Sequence, residues 1–449
     1  MAPPLSVAVV GSGPSGAYCA RLLSEDGSLD ARVDVYERLP APYGLVRYGV
    51  APDHHKIKSI TAALAEIFQN PRVRFVGNVE VGSDVSLAAL RRHYDAVIIA
   101  YGASVSRRLG ITGEGLPGVF SATDFVSWYS GHPDAAVDRF SLAAEQAVVI
   151  GVGNVALDVA RMLVRTADEL RATDVPEHVV DVLAASSIRE ITIVGRRGPA
   201  FAKFTSKELA ELGAVESADV IVDAADLILD DEQEAALAAN PAARRLLVKL
   251  RLMADRAPRG RSRSIRFAFE CRPTEFLGAT AVEAVRFQRS AGERSEPVDI
   301  PAQFVLCSIG YRGTRLADVP FDEHAGTVSN DAGRVIGTDG PVPGLYAAGW
   351  IKRGPTGVIG TNRPDASETV SALVDDMRAA APRHARAAGD PVDLLGLRGT
   401  AVVDWAGWRA IDRAEQDYGA RLGRDRVKLH DRTRLLDAAS NRAGQRRLT

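Results

Sequence analysis

An α/β fold in which one doubly wound unit is inserted into another is what the chain predicts, on three observations. Two glycine-rich turns, Gly11-Ser12-Gly13-Pro14-Ser15-Gly16 and Gly151-Val152-Gly153-Asn154-Val155-Ala156, each follow an apolar stretch and precede a helix-like one. The next apolar stretch ends in Glu37 after the first turn and in Arg196-Arg197 after the second. A run of apolar residues closing on glycine at 94–102 recurs at 343–349, as expected of a chain that leaves a domain and later returns to it. Small residues in such turns let backbone N–H groups and a helix N-terminus approach a pyrophosphate, so the expected fold is two Rossmann-like dinucleotide-binding domains.

Taken in order, residues 7–10 form the first strand, 17–23 supply the small and apolar face of a helix, and 33–36 form the second strand. Pro40-Ala41-Pro42-Tyr43-Gly44 then breaks regular structure. Residues 94–102 read as a strand buried on both faces, with the first crossing between domains just after it. The expected division is 1–103 and 331–449 for the outer domain and 104–330 for the inserted one. In the insert, 147–150 is the strand before the second turn, and a helix runs from Val155 to about Arg165. A glycine-rich loop, Gly354 to Gly360, precedes another helix whose first turn tolerates Pro364. Beyond about 385 the chain, with Trp405 and Trp408, reads as an appended helical tail.

The strand-end residues separate the two ligands. A carboxylate there hydrogen-bonds a free ribose 2′-hydroxyl, whereas arginines accept a 2′-phosphate. Gly11, Gly13, Ser15, Gly16 and Glu37 thus suit FAD or NAD; Gly151, Gly153, Asn154, Val155, Arg196 and Arg197 suit NADPH. Charged hydrogen bonds contribute about 1.5 to 3 kcal/mol each, enough for two arginines to favour the 2′-phosphate about a hundredfold. Without that position, the same two arginines are ordinary surface charges. Glu208 is a further candidate for the adenosine ribose, or a solvated helix residue. FAD is the partner that gives a chain binding NADPH a redox function. The loop with Gly357, Val358 and Ile359, following Trp350, is the candidate for the flavin's pyrimidine end, where backbone N–H groups favour negative charge on the ring. His54 and Asp158 are catalytic candidates, the first for a proton relay, the second equally as a partner of a helix dipole.

Hydrophobic residues make 46% and charged residues 25% of 449, with net charge −2, so no global field recruits nucleic acid or a membrane. No run of about eighteen apolar residues occurs, and the first strand leaves no room for a leader, so a soluble cytoplasmic protein is expected. Cys19, Cys271 and Cys307 lie far apart, with neither CxxC nor metal-ligand spacing. No metal site, redox disulfide or iron–sulfur cluster of its own is expected. The run Arg244, Arg245, Lys249, Arg251, Arg256, Arg259, Arg261, Arg263 and Arg266 has only Asp255 as counter-charge, and either steers an acidic protein or is simply solvated.

From residue 5 to about 380 the chain resembles the adrenodoxin reductase family, including its bacterial NADPH:ferredoxin reductases. The likeness lies in VVGSGP at 9–14, YGLVRYGVAPDH at 43–54, GNVEVG at 77–82, GNVALDVAR at 153–161, VGRRGP at 194–199 and GWIKRGPTGVI at 349–359. The resemblance implies an NADP domain inserted into an FAD domain and electron transfer from NADPH through FAD to an acidic ferredoxin-type iron–sulfur protein. By position it assigns Ser15, Glu37, Leu45, Val81, Trp350 and Gly357 to Ile359 to FAD, and Asn154, Arg196, Arg197, Glu208 and Arg107 to NADP. It places His54 and Asp158 near the flavin. A monomer or weak dimer is expected. A flavoreductase delivering electrons to oxygen, a quinone or an organic acceptor is the rival reading.

Overall fold

The computed structural model describes residues 4–27, 30–291, 294–379, 389–394, 397 and 399–441. In its first sheet, strands Leu5–Val10, Ala31–Glu37, Val73–Gly77, Ala96–Ile99 and Gly340–Ala347 pair in parallel. Arg334–Gly337 and Asn330–Asp331 extend one edge in antiparallel sense. The chain winds outward from Leu5–Val10 to Val73–Gly77, then returns to the opposite side of Leu5–Val10 at Ala96–Ile99. That reversal opens a crevice at the carboxyl end of the first strand, where Gly11 sits. Because helices and loops cover both faces, successive residues are all apolar: Val7 and Val9 enter one core, Ala8 and Val10 the other.

The second sheet repeats the plan, in the order Val119–Ser121, Phe304–Cys307, Gln146–Ile150, Glu190–Val194, Ser264–Ala268, Asp219–Ile221, all parallel. Its reversal lies beside Gln146–Ile150 and puts Gly151 at a second crevice. An antiparallel sheet of Cys271–Leu277, Ala284–Ala291 and Arg294–Pro301 shares a core with Val148, Val194 and Val305 of the parallel strands. The two sheets are parts of one α/β chain with the second inserted into the first.

The outgoing and returning crossings lie side by side, Val105–Ser106 pairing antiparallel with Tyr311–Arg312. Leu316, Val319, Phe321 and Val328 already pack with the first sheet's core. The tail forms helices Trp405–Arg421 and Arg432–Ser440, as its sequence suggests, but it is built into the body of the protein. Val403 bridges Gly77, Trp405 stacks on Phe68 at 5.3 Å, and Trp408 meets Tyr43 edge-on at 5.7 Å.

Candidate active site

The first turn closes on itself before any ligand enters. Gly11 has φ +113°, and a Cβ there would lie 2.5 Å from the Ala100 carbonyl oxygen, so only glycine lets the turn touch the neighbouring strand end. Helix Pro14–Glu25 starts with no side-chain cap, leaving its first N–H groups for an anion, and the space beside Gly13 is open. Glu37 Oε2 accepts from Ser12 N at 3.1 Å and Ser12 Oγ at 2.6 Å, while Oε1 accepts from Leu39 N at 3.0 Å. A carboxylate has about four acceptor positions, so one on Oε1 is left for a ribose hydroxyl. Tyr43 N donates to Ser12 O at 3.2 Å, which lays the turn into helix Leu45–Tyr48 across the glycines and carries Leu45 to them.

The returning half of the domain completes this cradle. Ser15 Oγ donates to Asn362 Oδ1 at 2.9 Å, and Arg353 Nη2 donates to the same oxygen at 2.9 Å. Gly349 N donates to Asp365 at 2.5 Å, fixing the start of the short helix Trp350–Arg353. Trp350 Nε1 donates to Thr356 O at 3.1 Å, and its ring lies 5.6 Å from that of Tyr311. Gly357, Val358 and Ile359 therefore stand at the entry of helix Asn362–Ala379, with Val358 exposed. Val81 sits in a separate bend, bridged to Val85.

The second turn is equally tight but its far end is loose. Gly151 has φ +132°, and a Cβ would strike the Ser308 carbonyl. Helix Asn154–Val164 again starts uncapped, with open space at Gly153; Val155 follows in its first turn. Asn154 Oδ1 accepts from Thr205 N at 2.8 Å, tying this helix to the loop before helix Ser206–Gly213. Arg196 and Arg197 are both exposed, the latter with its guanidinium 4.2 Å over the Phe201 ring. Arg107 lies at the domain crossing, donating from Nε to Tyr311 O at 3.3 Å.

Between the cradles, Asp53 and His54 leave the outer domain and enter the insert. Arg161 grips Asp53 through Nε at 2.7 Å and Nη2 at 2.9 Å, and Arg165 adds a contact at 3.0 Å. Burial alone would raise the Asp53 pKa, but the two guanidinium groups hold it well below the usual carboxylate range. His54 Nε2 lies 2.9 Å from Asp158 Oδ1 and 3.2 Å from Glu208 Oε2, and Nδ1 lies 3.1 Å from Glu211 Oε2. Burial opposes charging of this imidazole, yet the hydrogen bonds to Asp158 and Glu208 and the Asp158 charge outweigh it and raise its pKa from 6.5 to about 9. The same bond to His54 lowers the Glu208 pKa. Protonated, His54 donates to Asp158 and Glu211, while Arg161 Nη2, which donates to Asp53 and Asp158, lies 2.9 Å from Nε2. His54, Glu208 and Glu211 bring potential metal-ligand atoms within 4.8 Å of one another, but the Arg161 guanidinium already supplies positive charge there.

Residues 5–215 match the family described as pyridine nucleotide-disulphide oxidoreductase. A "Probable ferredoxin/ferredoxin--NADP reductase" of Mycobacterium tuberculosis is 45% identical, over 98% of this chain and 76% of its own length. "NADPH:adrenodoxin oxidoreductase, mitochondrial" of Arabidopsis thaliana is 38% identical, over 98% of this chain and 96% of its own. The chain belongs to the adrenodoxin reductase family. A solved structure, "Mycobacterium tuberculosis FprA in complex with NADPH", matches this family member with TM-score 0.90 at 42% identity, covering 97% of this chain and all of the other. Cys19, Cys271 and Cys307 are each free and buried. Among its described residues no helix is long and apolar enough to cross a membrane.

Of the residues singled out from sequence, the fold brings His54, Asp158 and Glu208 into one cluster, and Ser15, Trp350 and the 357–359 loop into the first cradle. Glu208 Oε2 lies 3.2 Å from His54 Nε2, the nitrogen that Asp158 approaches more closely at 2.9 Å. Sequence reasoning passed over Asp53, Arg161, Glu211, Asn362 and Asp365. One signal was legible: Asp158 and Arg161 are spaced i, i+3 in an otherwise apolar helix, so both charges share a buried face.

Proposed function

We propose that the chain is an FAD-dependent NADPH:ferredoxin reductase, with the outer segments 1–103 and 331–449 serving FAD and 104–330 serving NADPH. The observation that carries this reading is one chain holding two open, uncapped glycine cradles whose strand ends bear opposite charge, Glu37 and Arg196-Arg197, joined through the His54 cluster. Gly11, Gly13, Ser15 and Gly16 would face the FAD pyrophosphate, Glu37 its ribose, and Leu45, Val81, Trp350 and Gly357 to Ile359 the rest. Gly151, Gly153, Asn154 and Val155 would face the NADPH pyrophosphate, Arg196 and Arg197 its 2′-phosphate, with Arg107 and Glu208 as further contacts. When bound, the flavin accepts a hydride and releases electrons singly, chemistry that needs no protein nucleophile.

The chain's own part is orientation and charge. The 354–360 loop and the helix behind it present N–H groups at one cradle, and Arg196 and Arg197 select the phosphorylated nucleotide at the other. His54 and Asp158 hold a proton between the domains, at Nε2 and Oδ1. The acceptor we infer is an acidic ferredoxin-type iron–sulfur protein. Helix Pro241–Ala254 supports this, because Arg244, Arg245 and Arg251 are exposed beside exposed Val248 and Leu252. Lys249 and Arg259 are instead committed internally, to Ser206 O and to Asp219. A cytoplasmic monomer or weak dimer completes the reading.

Anaerobic mixing of the flavin-loaded chain with NADPH tests the first half: the flavin absorbance bleaches, and failure to bleach removes the proposal. Ferredoxin-dependent cytochrome c reduction at low and high salt tests the second. Activity that falls as salt rises supports docking through cations; equal rates with quinone alone and no ferredoxin activity favour a general flavoreductase.

A further inference from the structure

The tail segment between helices Trp405–Arg421 and Arg432–Ser440 crosses from the outer domain to the insert, and two of its cations are buried there. Lys428 is 2% exposed. Its Nζ donates to Arg47 O at 2.8 Å, in the Leu45–Tyr48 helix that lies over the first glycine turn. It donates also to Ser130 O at 3.0 Å, at the end of the insert's helix Ala122–Tyr129, and lies 3.4 Å from Asp174 Oδ2. One side-chain nitrogen thus joins three chain segments from both domains, although burial pulls its pKa well below the ordinary lysine value against the opposing pull of Asp174. Arg424 donates to Thr173 O at 2.9 Å and Val175 O at 2.6 Å, and pairs with Glu177, all in the insert. Lys58 of the outer domain reaches Asp174 at 2.7 Å. Behind Arg47, the buried Glu415 of the tail helix pairs with both Arg47 and Arg426, so the anchor is itself rigid.

We propose that Lys428, seconded by Arg424, is a positioning residue for hydride transfer: the tail staples the inserted domain to the Leu45–Tyr48 helix and so sets the gap across which the two dinucleotides meet. This rests on the two-dinucleotide reading above. The crossing at Val105–Ser106 and Tyr311–Arg312 is a single pair of two-residue strands, too slight to fix a domain angle, and the His54 cluster ties down a different stretch of the outer domain. The staple adds a hold on the helix nearest the first cradle. Since a misplacement of about 1 Å costs on the order of a hundredfold in rate, a small relaxation there is kinetically visible.

The test uses the flavin-loaded full chain carrying Lys428→Met, with Arg424→Gln as the second variant should the first not fold. Two readouts are taken: hydrogen exchange of amides in 44–49 and 127–132 without NADPH, and the anaerobic rate of flavin bleaching at saturating NADPH. Faster exchange at both sites, with bleaching slowed at least about tenfold and the NADPH concentration for half-saturation changed less than about threefold, is the expected result. A bleaching rate within about twofold of the parent, whatever the exchange, overturns the positioning role. Absence of bleaching in the parent protein would instead defeat the underlying redox assignment, so the two failures are told apart.

Discussion

The two glycine cradles are near copies in backbone and carry opposite charge at or just past the end of the strand that follows each. In the first, Glu37 is already tied to Ser12 and Leu39, and Ser15 is tied to Asn362 across the returning half of the chain. In the second, Arg196 and Arg197 lie exposed on a strand-end loop. A cradle completed by two distant chain segments and pre-bonded to itself suits a cofactor that stays; an exposed pair of cations suits a nucleotide that enters and leaves each cycle. The difference teaches that retention is built from preorganised bonds and exchange from accessible charge.

The strongest way to break that comparison is to spoil each turn separately. Gly11→Ala and Gly151→Ala each force a Cβ onto a neighbouring carbonyl at positive φ, costing about 3 kcal/mol locally. The expected outcome is a colourless Gly11→Ala protein and a yellow Gly151→Ala protein that no longer responds to NADPH, read from absorption spectra before and after mixing. Loss of flavin from both would show that the cradles are not independent. Next in size, removing both Arg196 and Arg197 by alanine should lower kcat/KM for NADPH about a hundredfold and that for NADH less than about threefold. Steady-state kinetics with the two nucleotides decides it, and equal losses would deny the arginines their phosphate.

Glu37→Ala leaves Ser12 N and Leu39 N without their acceptor, so we expect about 1 to 3 kcal/mol lost from flavin retention, measured as FAD released on dilution. The smallest effect sharpens the join between the cradles. His54 has its pKa raised from 6.5 to about 9, so its stabilisation is full below about 6.5 and is lost as pH rises through 9. The thermal midpoint should fall by roughly 2 to 4 °C between pH 7 and pH 10, and His54→Gln should flatten that slope. An unchanged slope in the variant would place the titration elsewhere.

Both glycine turns were legible in the chain because a strand, a turn and a helix are consecutive, with Glu37 ending the next strand after the first and Arg196-Arg197 just past the next strand after the second. The opposite charges at residues 37 and 196–197, on which the proposed separation of the two nucleotides rests, are visible without any fold being known. The catalytic candidates were legible only as residue types. His54 and Asp158 are 104 residues apart, and nothing local says that they touch. Glu208 is a ribose candidate from its place after Thr205; that its Oε2 also comes within 3.2 Å of His54 Nε2 is decided only by the packing of helix Ser206–Gly213. The tail illustrates the limit best, since Trp405 and Trp408 mark apolar helix faces but not the aromatic cluster of Tyr43 and Phe68 that receives them.

Hydrophobic period, turn chemistry and strand-end charge act over a few residues, so fold class and the proposed nucleotide preference follow directly from the order of amino acids. The meeting of the domains does not, because it depends on burying charges that are neutralised only by partners far along the chain. Lys428 beside Ser130, 298 residues away, and Arg161 beside Asp53, 108 residues away, have no meaning until two sheets are packed and water is gone from between them.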